Sequence, residues 1–137
     1  MERCTSFLRA FSKIGLIPDA GSTYFLPRYV GEMRARALAI TAEKIDAEEA
    51  YRIGIVWKLH DDDALQDEAS KLARHLATMP TVACGLTKEA LDQNFDNDVA
   101  AQMEVGAELQ SYGSRSEDCS EGVAAFFEKR KPRFMGR

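Results

Sequence analysis

Residues Phe11–Arg28 read FSKIGLIPDAGSTYFLPR. Phe11 to Pro18 is a short apolar stretch, broken at Gly15 and stopped at Pro18, whose ring locks φ and removes a donor. The small residues Asp19-Ala20-Gly21-Ser22-Thr23 follow, rich in N-cap types, so a turn that opens a helix is expected there. Tyr24 to Tyr29 then supplies one or two helical turns, restricted by Pro27. An aspartate in a Pro-Asp-x-Gly string is most simply a turn or N-cap residue, and from the residues alone Asp19 keeps that reading beside a chemical one.

Outward from this stretch the chain is helical by pattern. Glu32 to Ile40 (EMRARALAI) is built of helix formers with Met33, Ala37 and Ile40 on one side. Asp46-Ala47-Glu48-Glu49 has the carboxylate-rich look of a helix start, and Gly54 the look of a stop. Ile55-Val56-Trp57-Lys58-Leu59, β-branched and aromatic, predicts the one strand. Beyond the acidic turn Asp61-Asp62-Asp63, the spacing of Leu65, Ala69, Leu72, Leu76 and Met79 makes an amphipathic stripe. Helices are predicted near 32–40, 46–53, 64–79, 82–94, 98–113 and 117–130. Lys129-Arg130-Lys131 falls at the last C-terminus, where positive charge complements the helix dipole, and Arg130 and Lys131 read as a solvated basic end.

These helices present more apolar face than one strand can cover. Each Å² of apolar surface left wet forfeits about 25 cal/mol, so self-association through the last three helices, or a missing partner segment, is expected.

The 137 residues suit one domain, and a hydrophobic content of 45% excludes disorder. Eighteen Lys+Arg against 22 Asp+Glu give a net charge of −4, without the basic excess of a nucleic-acid binder. No apolar run approaches the roughly 18–20 residues of a membrane span, and the start Met1-Glu2-Arg3-Cys4 does not read as a secretory leader. A cytoplasmic protein is expected. Cys4, Cys84 and Cys119 are odd in number with no CxxC pair, and read as reduced thiols. His60 reads as a loop residue and His75 as a helix-surface one, with no metal-ligand spacing around them.

Four segments in order resemble the crotonase (enoyl-CoA hydratase/isomerase) superfamily. Gly15, Ile17, Pro18, Gly21, Thr23, Leu26 and Arg28 match its G-x-I-P-x-x-G-x-T-x-x-L-x-R segment. Ala37–Gly54 (ALAITAEKIDAEEAYRIG), Ile55–Leu59 and Glu121–Phe134 (EGVAAFFEKRKPRF) match three later ones, so the resemblance covers about Phe7 to Gly136. The wording around Asp19 looks most similar to the phenylacetate-pathway enoyl-CoA isomerases, although Ser22 stands where glycine is frequent in the family. The resemblance implies a mainly α chain with one short β-strand, the C-terminal part of a crotonase fold lacking most of the N-terminal ββα spiral. It implies an edge of the crotonase core over residues 1–60 and a helical trimerisation region over 61–137.

It also implies chemistry. Hydratases of the family place one of two glutamates about seven residues before the proline, where this sequence has Phe11. Isomerases carry a carboxylate directly after the proline, where this sequence has Asp19. One carboxylate suffices to take a proton beside a conjugated thioester and return it elsewhere. Lys129 matches the lysine that reaches coenzyme A, and Phe126 the aromatic near its adenine, with a core or interface phenylalanine as the other reading of Phe126. No cofactor or metal is expected beyond the coenzyme A carried by an acyl-CoA substrate. The partners implied are that substrate and further copies in a trimer or hexamer, with neither nucleic acid nor membrane. The G-G-G and A-G-x-D signatures of the family's N-terminal half, which supplies the oxyanion hole, do not occur here. Two functions follow as expectations: the C-terminal portion of a CoA-thioester isomerase, inactive as an isolated chain, or a non-catalytic helical oligomerisation module.

Overall fold

In the computed structural model, which describes Met1 and residues 4–137, the chain divides into two units, Met1–Ala69 and Ser70–Arg137. It is mainly helical, with one two-stranded sheet among the described residues. In the first unit β1 (Ser6–Phe7) pairs antiparallel with β2 (Ile45–Asp46), Ser6 opposite Asp46 and Phe7 opposite Ile45. Between them run α1 (Ser22–Val30) and α2 (Glu32–Thr41), joined at Gly31, and after β2 comes α3 (Ala47–Arg52). The Asp46 carboxylate caps α3, accepting from the Glu49 N–H at 2.8 Å, as its place in the acidic run suggests.

Leu26, Val30, Ala35, Ile45, Ala50, Ile53 and Val56 form the core of this unit, with Phe7, Leu38, Ile55 and Leu59 half-buried against it. That burial helps α1 hold Pro27 within its helix, which spans Ser22–Val30 where turns were expected over Tyr24–Tyr29. The ring removes a ladder donor, but Leu26 and Val30 on either side are only 4% and 5% exposed. Tertiary burial overrides the local break.

The strand predicted over Ile55–Leu59 does not form. A β-branched run becomes a strand only when another edge takes its backbone groups. Here the Ile55 and Val56 N–H groups both turn back onto the Ala50 carbonyl, at 2.9 and 3.1 Å, and the pairing goes to Ser6–Phe7 and Ile45–Asp46 instead. Ile55 and Val56 still pack on the core, as apolar residues of an irregular segment.

Across the division runs α4 (Leu65–Leu76), and the second unit continues with α5 (Thr81–Gln93), α6 (Val99–Gly113) and α7 (Glu117–Phe127). α5 and α6 form a helical hairpin, tied where the Gln102 amide donates to the Ala90 carbonyl at 2.9 Å. Asp98 caps α6 through the Ala101 N–H and Ser116 caps α7 through the Cys119 N–H. No buried residue is found in α4, α5 or α6 among those described, whereas α7 buries Asp118 and Ala125. After α7 the chain reverses at Pro132 and runs back along it, so that Phe134 lies 3.5 Å from where a Cβ on Gly122 would stand. No helix of the described residues is long and apolar enough to cross a membrane.

Candidate active site

The first cluster is the turn that carries Asp19. A 3₁₀ turn over Phe11–Ile14 ends at Gly15, and the chain emerges with Ile17 80% exposed. Ala20 and Gly21 are both left-handed, with φ of 49° and 73°, and the Asp19 carbonyl accepts from the Ser22 N–H at 2.9 Å. Two successive left-handed residues make the reversal that starts α1. Gly21 is favoured there on two counts, a positive φ and a site where a Cβ would crowd the Phe25 ring at 3.1 Å. Asp19 is exposed at this reversal, and among the described residues no hydrogen bond or ion pair engages its carboxylate. A cavity of about 200 Å³ opens alongside, its lining including Pro18, Ser22, Thr23, Leu26, Ala35 and Ile40.

The second cluster lies at the end of α7, in the other unit, and it brings Phe126 and Lys129 together. Phe126 is 79% exposed and meets Phe127 edge to face, ring centroids 5.8 Å apart. Lys129 donates its N–H to the Phe126 carbonyl at 3.3 Å, and Arg130 its own to the Ala125 carbonyl at 3.0 Å. This is a Schellman helix end, whose left-handed position usually holds glycine. Here it holds Lys129 at φ 54°. Such a conformation costs a residue with a Cβ about 1–2 kcal/mol.

Arg130 is not the solvated basic end that its sequence position suggests. Its two terminal guanidinium nitrogens grip Glu121 at 2.6 and 2.9 Å, and its Nε reaches Glu128 at 2.5 Å. Glu121 also accepts from the Arg133 N–H at 2.7 Å. The Arg130 fork, followed by that backbone donor, pulls the Glu121 carboxyl down to about 2. One turn earlier, buried Asp118 accepts from the Met135 and Gly136 N–H groups at 2.6 and 2.9 Å, and Arg137 pairs with Glu117. Residues 131–137 are thus a strap tied down by α7 carboxylates.

A sequence description of the enoyl-CoA hydratase/isomerase family matches residues 1–137. The chain belongs to that family. It is 44% identical over 135 residues to the 1,2-epoxyphenylacetyl-CoA isomerase of Escherichia coli, covering 98% of this chain and 52% of that protein. It is 45% identical over 132 residues to a Rhodobacter capsulatus protein named "Probable enoyl-CoA hydratase", covering 96% of this chain and 51% of that one. The crystal structure of an enoyl-CoA hydratase from Bacillus anthracis superposes with a TM-score of 0.94 at 29% identity, over 99% of this chain and 53% of that one. The chain therefore spans about half the length of the relatives it matches, and it has the C-terminal part of the crotonase fold.

Within this enoyl-CoA hydratase/isomerase chain, sequence reasoning passed over the strap and its anchors. Asp118 lies in the first turn of α7, whose N-cap is Ser116, and is itself only 2% exposed. The available signal was spacing. Asp118 and Glu121 are three apart on one face of α7, and Pro132 forces the chain to leave the helix just beyond. Among the described residues no group of three His, Cys, Asp or Glu is placed to hold a metal ion.

Proposed function

We propose that this chain is the C-terminal portion of a CoA-thioester isomerase in which Asp19 is the base that moves the double bond. The observation that carries the reading is the exposed Asp19 carboxylate, held at a left-handed reversal and engaged by no other described side chain, with Phe11 standing where the resemblance places a hydratase glutamate. Asp19 removes a proton from the carbon beside the conjugated thioester and returns it further along the chain. The carboxylate is thereby regenerated, and no water is added. The relative named as an isomerase supports this direction, while the relative named as a hydratase keeps the reaction class open to test. Lys129 meets a phosphate of coenzyme A as a mobile point charge and Phe126 lies against its adenine. Coenzyme A comes on the substrate, and no separate cofactor takes part.

The oxyanion donors belong, on this reading, to the family's N-terminal half, so the isolated chain is essentially inactive. The test supplies that half as a separate polypeptide and assays isomerisation and hydration of enoyl-CoA thioesters. Asp19→Asn is expected to lower isomerisation by about 10²–10⁴-fold. Full activity of that variant, a faster hydration than isomerisation, or enzyme-like turnover by the chain alone would each sink the reading. In the same assay Lys129→Gln is expected to raise KM and leave kcat in place.

The second reading, a helical oligomerisation module, rests on Val99, Met103, Phe126 and Phe127, which are 71–79% exposed. It predicts a trimer by light scattering with no activity in any mixture. A monodisperse monomer would count against it.

A further inference from the structure

We propose that Glu121 and Arg130 are positioning residues for Lys129: their ion pair holds the helix end in the left-handed conformation that lets a lysine stand where glycine is normal. The inference rests on the reading of Lys129 as a ligand of coenzyme A, but its own evidence is conformational. Lys129, at φ 54°, lies between two residues that are themselves tied together, Glu128 to Arg130 at 2.5 Å. Arg130 is in turn fixed to Glu121 through its two terminal guanidinium nitrogens, and Glu121 reaches past the turn to the Arg133 N–H. The residues on both sides of Lys129 are held by side-chain contacts, and its own backbone by the two Schellman bonds. A strained residue persists only when its surroundings over-determine it, and here they do.

A glycine at position 129 would adopt this conformation unaided but would carry no charge. A lysine without the brace would relax to negative φ and swing its ammonium away from the direction the helix end now gives it. The brace therefore reconciles the cation with the backbone. Phe126, whose carbonyl receives the Lys129 N–H, is held in the same closure.

The experiment is a double-mutant cycle on the full chain, read by amide exchange at Arg130 and by the Lys129 ¹³C shifts that distinguish left-handed from right-handed backbone. Glu121→Gln keeps the shape and removes the charge. In the wild-type background it should speed Arg130 exchange about tenfold and abolish the left-handed signature of Lys129. In a Lys129→Gly background, where no strain needs holding, the same substitution should change exchange by no more than about twofold. Equal effects in the two backgrounds would mean an ordinary structural ion pair and would overturn the proposal, as would no effect in the wild type. Arg130→Lys, which keeps charge but loses the two-nitrogen grip, repeats the test if Glu121→Gln loosens α7 as a whole, with Gln102 exchange in α6 as the internal control. The outcome is separable from the coenzyme A reading. If Lys129→Gln left KM unchanged in the reconstituted enzyme, the ligand assignment would fall while the cycle still reported on the brace.

Discussion

The two units of this chain are held together by different physics. In Met1–Ala69 two antiparallel strands, α1, α2 and α3 share a contiguous apolar core, and the polar contacts decorate it. In Ser70–Arg137 only Ala125 and Asp118 are buried among the described residues, and the end of the chain is retained by carboxylates reading backbone N–H groups. Apolar packing is non-directional and accommodates small shifts in backbone position so long as volume and shape are kept. A carboxylate that accepts named N–H groups does not, and it fixes the strap residue by residue. The unit that presents Phe126 and Lys129 is thus organised by directional contacts, while the unit that presents Asp19 is organised by volume.

Substitutions of increasing subtlety test that contrast. The largest effect is expected in the first core: Leu26→Ala, at a site 4% exposed, should cost about 2–5 kcal/mol in denaturant unfolding. A loss below about 1 kcal/mol would mean that α1 is not packed as described. Next comes Asp118→Ala, which strands the Met135 and Gly136 donors and should cost about 1–3 kcal/mol, with faster amide exchange confined to the strap and the start of α7. Exchange spreading evenly through α1 and α2 would contradict the separation.

A pH series sharpens the comparison further. Glu121 has its carboxyl lowered from 4.5 to about 2 by Arg130 and the Arg133 N–H, so its hold on the strap is complete above about 4.5 and is lost as pH falls toward 2. Arg133 amide protection should decline across that window in the wild type and lose this component in Glu121→Gln. Protection that instead rose on acidification would reverse the sign and refute the assignment. The smallest effect is expected at Phe126→Ala, where a side chain 79% exposed should change stability by no more than about 0.5 kcal/mol despite its size. A cost like that of Leu26→Ala would show that the ring is covered in solution.

Much of this was legible before any coordinates. The predicted helices near 32–40, 82–94, 98–113 and 117–130 are formed as α2, α5, α6 and α7 within three residues at each end, because helix signals are local and every ladder bond closes within the segment. The candidate residues stood out by motif, Asp19 after a proline and Lys129 in the terminal E-K-R string. The misses share one cause. The apolar run at Ile55–Leu59 carried a strand signal without a strand partner, and Arg130 looked solvated because its partner Glu121 is nine residues away.

What the sequence by itself determined, then, is the helix register, the acidic start of α3 at Asp46, and membership of a family whose motifs are contiguous strings. What only tertiary structure decided is which backbone groups pair across the chain. Ser6–Phe7 met Ile45–Asp46 where Ile55–Leu59 was expected to be the strand, the strap folded back onto Asp118 and Glu121, and Lys129 was left with a positive φ. Local energies are set by neighbours a turn away, whereas these outcomes depend on partners brought near by the closing of the whole unit.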